Sequence, residues 1–268
     1  MNTAIQALTV LLPIGYLSIA LLYSVEKRSP LRRGWILVVL LLHGLLFGLK
    51  WQAMQHFPVV GRWSVFSAQA WLLAVLYLWI RFRVHHSGTA SLVFGVTFLL
   101  QLWASCLEPL PVHPPFESTG STILAVHVLT SLVASSTLVL SGIHGVLYLV
   151  VYKTMQRRQY SAFVQRLPDL QLLSSMTRGA ALAGFVLLGV GLNMGIWWAH
   201  SAGVSGFSYR DPFVVGMIGL WLHFGLVAFS GSIPGLNARR ASWAATFGFL
   251  FMLAGAVAAA LPNVSFHS

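Results

Sequence analysis

Hydrophobic and polar positions along this chain fall in long blocks, without the short alternation of strands or the one-sided stripe of surface helices. Apolar stretches of roughly 20 residues recur from one end to the other. Short joints holding Pro, Gly and most of the charged residues separate them. At ~1.5 Å per residue, about 20 apolar residues cross a hydrocarbon core of ~30 Å as a helix. Eight such spans are predicted: Ala4–Ser24, Trp35–Met54, Val65–Arg81, Thr89–Leu107, Thr122–Tyr152, Gly179–His200, Pro212–Ser230 and Ala241–Leu261. The longest, Thr122–Tyr152, runs 31 residues without a Lys, Arg, Asp or Glu, yet it contains His127 and His144. The longest joint, Lys153 to Arg178, has 26 residues, too few for a soluble domain. The expectation is one polytopic domain over residues 1–268, an all-α integral membrane bundle of about eight transmembrane helices.

Composition sharpens this picture. The chain is 57% hydrophobic and 8% charged, against about 25% charged for soluble domains, so it lacks the polar surface that solubility needs. The net charge of +11 is a topology signal. Thirteen of the 16 Lys and Arg residues fall on alternate joints: Lys27, Arg28, Arg32, Arg33; Arg81, Arg83; Lys153, Arg157, Arg158, Arg166, Arg178; Arg239, Arg240. Lys50, Arg62 and Arg210 fall on the other side. The basic joints are expected to face the cytoplasm, which puts both termini outside it, in the cell inner (cytoplasmic) membrane. Their partners are anionic membrane lipids and not nucleic acid.

Several function classes drop out. All five carboxylates (Glu26, Glu108, Glu117, Asp169, Asp211) lie outside span centres, so the proton-relay acids of a pump are missing. One cysteine, Cys106, allows neither an internal disulfide nor a CxxC centre. No basic leader with a cleavage site precedes the first span, which reads as retained. Gly-rich nucleotide loops, serine elbows and HExxH are absent from the sequence.

The histidines carry the candidate chemistry. His43 lies eight residues into the second span, about 12 Å deep, and His223 on the seventh span lies about 14 Å from the same edge. They are level. His127 lies within about 8 Å of the outer edge, and His267 follows the last span on that side. His144, 17 residues beyond His127, is about 25 Å away along the helix and cannot share its metal. Level neutral imidazoles suit the axial positions of haem iron. The alternative for each is a hydrogen bond to a neighbouring helix, and that reading suits His56, His85, His86, His113 and His200. The outer joint at 197–212, WWAHSAGVSGFSYRDP, is either an interfacial aromatic belt or a platform for a planar ligand. In it Arg210 either pairs with Asp211 or holds a ligand carboxylate. The stretch Tyr160–Arg178 reads as an interfacial amphipathic segment.

Five stretches in order carry a resemblance. They are Leu124-Ala125-Val126-His127-Val128 with Gly142 to Leu149; Arg166-Leu167-Pro168-Asp169-Leu170 with Arg178; Gly195-Ile196-Trp197-Trp198-Ala199; Asp211-Pro212 with Ile218 and Trp221; and Arg239-Arg240-Ala241-Ser242-Trp243 with Gly248-Phe249. Together they resemble the cytochrome c assembly family, haem-handling membrane proteins of the CcsA, ResC and CcmC type, in its small eight-span YpjD- or HemX-like branch. Arg210 stands where that family has a Trp, and Val215 where it has a Glu. The resemblance implies haem binding or transfer that supports cytochrome c maturation, by ligation and positioning, without covalent chemistry of its own. It implies non-covalent b-type haem, held outside by His127 and His267 with Trp197, Trp198 and Tyr209 stacking; Arg210, which departs from the family, is the candidate for a haem carboxylate. His43 corresponds to the family's early membrane histidine, with His223 as its candidate partner. Other cytochrome c maturation proteins or a larger membrane complex are the implied partners. Two alternatives stand beside this: a structural or regulatory subunit that has lost haem handling, and a carrier of another small molecule.

The expected topology has a direct test. Ser268→Cys should react with an impermeant thiol probe in intact cells, and labelling only after lysis would reverse the orientation.

Overall fold

The structure, a computed structural model, describes residues 2–25, 31–54, 62–84, 88–107, 122–158, 161–201 and 207–260. Among the described residues the regular structure is entirely helical: α1 (Asn2–Val25), α2 (Leu31–Met54), α3 (Arg62–Val84), α4 (Ala90–Leu107), α5 (Thr122–Gln156), α6 (Leu170–Ser201), α7 (Pro212–Ala228) and α8 (Ala238–Ala260). A single 3-10 turn, Val164–Arg166, lies between α5 and α6. Seven of the helices are long and apolar enough to cross a membrane, while α7 is shorter at 17 residues. The protein is an all-α, multi-pass membrane protein.

One boundary differs substantially from expectation. α6 starts at Leu170, well ahead of Gly179, because Asp169 caps it. Its Oδ1 accepts from the Leu172 N–H at 2.7 Å, and its carbonyl accepts from Leu173. A short acceptor at that position satisfies donors that a helix start leaves open. The presumed amphipathic segment is therefore two things, the Val164–Arg166 turn and the first turns of α6 through Arg178.

The chain packs as two compact units. The first comprises residues 1–115 with 165–167, and the second residues 116–164 with 168–268. In the first, α1 packs on α2 and α4, and α3 on α2 and α4. Tyr16, Ile19, Ile36, Leu73, Tyr77 and Phe94 are fully buried between them. Pro13 lies inside α1. It has no N–H to give the carbonyl of Thr9, four residues earlier. Ser105 Oγ on α4 reaches that carbonyl at 2.8 Å, while also lying 2.9 Å from Gln101 O on its own helix. Such repair from a neighbouring helix lets a proline stand inside a membrane span.

In the second unit, α5 and α7 each pack on α6 and α8. Small residues set the spacing. A Cβ on Gly142 would stand 2.2 Å from the Phe249 Cβ of α8, so no side chain fits there. Between α5 and α6 the contacts run His127–Gly191, Leu138–Gly184 and Ser141–Thr177, an antiparallel register. Trp221 Nε1 of α7 donates to Phe185 O of α6 at 3.0 Å, with the two rings stacked at 4.9 Å. This topology sorts polar residues to two ends. One collects Lys153, Arg157, Arg158, Arg178, Arg239 and Arg240; the other collects His127, Trp197, Trp198, His200, Tyr209 and Arg210.

The proline repair should show coupling. Ser105→Ala should cost about 1 kcal/mol, the scale of an interhelical hydrogen bond in a membrane, read as unfolding in mixed micelles. In a Pro13→Ala background, where the restored N–H serves Thr9, the cost should largely vanish. Equal cost in both backgrounds would remove this role.

Candidate functional site

At the aromatic end of the second unit, His127 sits in the first turns of α5 with its ring against α6. Gly195 makes the room: a Cβ on it would come within 2.6 Å of His127 Cε1, while one on Gly191 would meet Ser131 Oγ at 2.6 Å. His127 Nδ1 is 2.7 Å from the carbonyl of Gly191. A carbonyl only accepts, so Nδ1 carries the proton and Nε2 keeps its lone pair. The half-buried ring is thus held in one orientation and one tautomer by backbone. Metal-ligating histidines are prepared the same way, with one nitrogen donating to a carbonyl and the other facing the metal.

The end of α6 and the start of α7 supply the aromatic groups. Trp198 follows Gly195 by three residues, near the side of α6 that meets His127, and is half-buried. Trp197 projects from another side and is exposed. The Tyr209 hydroxyl lies 2.8 Å from His200 Nε2, and Phe207 packs edge-on against both rings. His200, read from sequence as structural, therefore belongs to the aromatic cluster; its place directly after the Trp-Trp-Ala run was the available signal. Asp211 Oδ1 accepts from the N–H groups of Phe213 and Val214 and caps α7. Its carboxylate is committed there. Among the described residues Arg210 is exposed and forms no ion pair, so the expected choice falls against an Arg210–Asp211 pair.

The first unit holds a different arrangement around His43, which is fully buried. Tyr16 Oη lies 2.8 Å from Nδ1, Ser67 Oγ lies 2.9 Å from Nε2, and Ser67 Oγ donates to Gln101 Oε1 at 3.0 Å. The direction follows link by link. Ser67 uses its one proton on Gln101, so it accepts from His43 Nε2–H, and Nδ1 accepts from Tyr16. One hydrogen-bonded chain therefore joins α1, α2, α3 and α4 through one residue of each. Phe47 stacks on the imidazole at 5.0 Å. In this arrangement neither nitrogen of His43 has a lone pair to offer iron.

His223 lies in the second unit, where its Nε2 donates to Ala244 O of α8 at 2.8 Å, leaving Nδ1 as an acceptor. His144 of α5 is buried, and neither ring nitrogen has a hydrogen-bond partner among the described residues. His267, like His56, His85, His86 and His113, lies outside the described residues. Among the described residues no three His, Cys, Asp or Glu side chains gather into a site for a bare metal ion. His127 offers one unprotonated ring nitrogen at the end of the unit that also holds Trp197, Trp198, Tyr209 and Arg210.

Comparison with known proteins bears on this site. Residues 70–257 match the family described as Cytochrome C assembly protein. The chain is 25% identical over 244 residues to Cytochrome c biogenesis protein CcsA of Chlamydomonas reinhardtii, covering 88% of this chain and 67% of that protein. It is 24% identical over 177 residues to Protein HemX of Brevibacillus brevis, covering 66% and 65%. A CcsA of Prochlorococcus marinus (strain MIT 9312) is 22% identical, covering 96% and 94%. The chain thus spans about two thirds of the first two relatives and nearly all of the third.

The four-helix chain is testable on its own. Ser67→Ala leaves the buried His43 N–H without an acceptor, which should cost roughly 1–3 kcal/mol in micellar unfolding. A loss no larger than that of an exposed Ser175→Ala would mean the chain is not formed.

Proposed function

The chain belongs to the cytochrome c assembly protein family, and from that premise we propose that it serves cytochrome c biogenesis by binding haem at His127. The observation that carries this is the fixed Nδ1–H tautomer of His127, which leaves the Nε2 lone pair unprotonated. Haem, as cargo, would bring an iron with axial positions for imidazole nitrogen. His127 Nε2 would take one position and His267 the other, holding b-type haem non-covalently. Trp198 lies on the side where the porphyrin edge would rest, with Trp197 and Tyr209 bordering the same end. Arg210, free of Asp211, would pair with a haem carboxylate. His223 keeps Nδ1 for a second, in-membrane ligand set. His43, in the first unit, would ligate only by leaving Tyr16 or Ser67.

This reading places the protein in the cell inner membrane with the His127 end and both termini outside the cytoplasm. Its partners would be lipids and other cytochrome c maturation proteins. The family's relatives named for cytochrome c biogenesis support the process, and the geometry at His127 supports the ligand. A second reading, a structural or regulatory subunit without haem, draws on the committed nitrogens of His43.

An absorption spectrum of purified protein, oxidised and then dithionite-reduced, distinguishes them. Bound haem gives a Soret band with sharp low-spin bands on reduction. His127→Ala should lose most of it while His86→Ala keeps it. Gly195→Leu, which fills the space beside the ring, should lose it with the imidazole still present. A flat spectrum after expression with ample haem would move the assignment to the second reading.

A further inference from the structure

The opposite, basic end of the second unit holds a cavity of about 460 Å³, between the start of α6, the α7–α8 connection and the start of α8. That volume lies within the ~300–1,000 Å³ of small-ligand sites. Two guanidinium groups line it, Arg178 from α6 and Arg240 from α8, and none of its lining residues is acidic. Both are positioned by backbone at glycine. Arg240 Nη1 donates to the carbonyl of Gly235 at 2.6 Å, and Gly235 holds a left-handed φ of +80° that favours glycine. Arg178 Nη1 lies where a Cβ on Gly231 would come within 2.6 Å, so the missing side chain lets the guanidinium rest there. Arg239 is drawn elsewhere, over the Tyr152 ring at 5.0 Å.

Two serines supply an independent observation. Ser174 and Ser230 line the same cavity at 9% and 3% exposure, and among the described residues neither hydroxyl has a hydrogen-bond partner. Serines elsewhere in these helices bond back to their own backbone: Ser175 reaches Leu172 O and Ser242 reaches Ala238 O, each at 2.8 Å. Both residues are at least nine-tenths buried, and the exposure they keep is on a cavity that two arginines also line. The first turn of α8, where Ala238 borders the cavity behind the Asn237 cap, adds unpaired N–H groups and positive dipole.

We propose that this cavity binds a phosphate-bearing anion, held by Arg178 and Arg240 with hydroxyl donors from Ser174 and Ser230. Two guanidiniums and two hydroxyls match the several acceptor oxygens of a phosphate group. The space exceeds what one phosphate fills, so the ligand carries a further moiety. Such a group arrives either on a soluble phosphate monoester or as the headgroup of an anionic lipid.

The experiment uses the full chain in neutral detergent and in nanodiscs. Glycerol 3-phosphate is titrated in detergent against thermal unfolding, and nanodiscs of phosphatidylglycerol are compared with phosphatidylcholine. Saturable stabilisation by glycerol 3-phosphate identifies the soluble source; stabilisation by phosphatidylglycerol alone identifies the lipid. In either case Arg178→Gln and Arg240→Gln should each weaken the effect at least tenfold, while Arg157→Gln, at the same end and outside the cavity, should not. Ser230→Val removes a hydroxyl and keeps every charge; it should also weaken binding, which covers failure of an arginine variant to fold. No stabilisation by either probe, or equal weakening by Arg157→Gln, would overturn the site. Because haem plays no part in the readout, failure here is separate from failure at His127.

Discussion

Hydrocarbon offers no hydrogen bonds, so the backbone polar groups of a membrane span, and most polar side chains buried beside them, are answered from within the protein. Much of the structure follows from that constraint. Pro13 opens a carbonyl in α1, and Ser105 closes it from α4. Ser141 of α5 donates to Thr177 O of α6, and Trp221 of α7 donates to Phe185 O. His43 is buried as the centre of a chain with one residue from each helix of its unit. Glycine allows the same economy by distance, bringing backbone near enough for His127 to use the Gly191 carbonyl.

The second unit divides its chemistry between its ends. At one lie His127, with its tautomer fixed by backbone, and the aromatic cluster of His200, Phe207 and Tyr209. At the other, arginines and open serine hydroxyls surround a cavity, a setting for an oxyanion. Both ends use glycine to let a functional side chain rest on backbone: Gly195 under His127 and Gly231 under Arg178. Among its described residues the first unit contributes the closed polar network around His43.

Much of this was legible in the residues. Span length and the absence of charge placed the helices, since the thickness of hydrocarbon leaves little choice. Histidines inside apolar runs marked His43, His127 and His223 as residues needing partners, but their partners were not readable. The Tyr16, Ser67 and Gln101 contacts depend on how four helices rotate and pack, and no local pattern encodes that. The start of α6 was legible and was outweighed: Pro168-Asp169 is a helix-start signal, yet the charges around it suggested a surface segment. Ser174 and Ser230 looked like ordinary polar residues, because an unanswered hydroxyl differs from a satisfied one only in three dimensions.

The 17 residues of α7 give a helix of about 26 Å, a few ångströms less than a typical hydrocarbon core. Its unit-mates α5 and α6, at 35 and 32 residues, span any bilayer with length to spare. Lipid beside α7 must thin, or the polar termini of the helix are drawn inward at an energetic cost for each ångström of mismatch. The Asp211 cap, with Arg210 before it, stands at one of those termini, and His223 rides on the helix between them. Bilayer thickness is therefore a mechanical load on the aromatic end of this unit. A sterol-rich or otherwise thicker membrane strains that end, and a thinner one relaxes it.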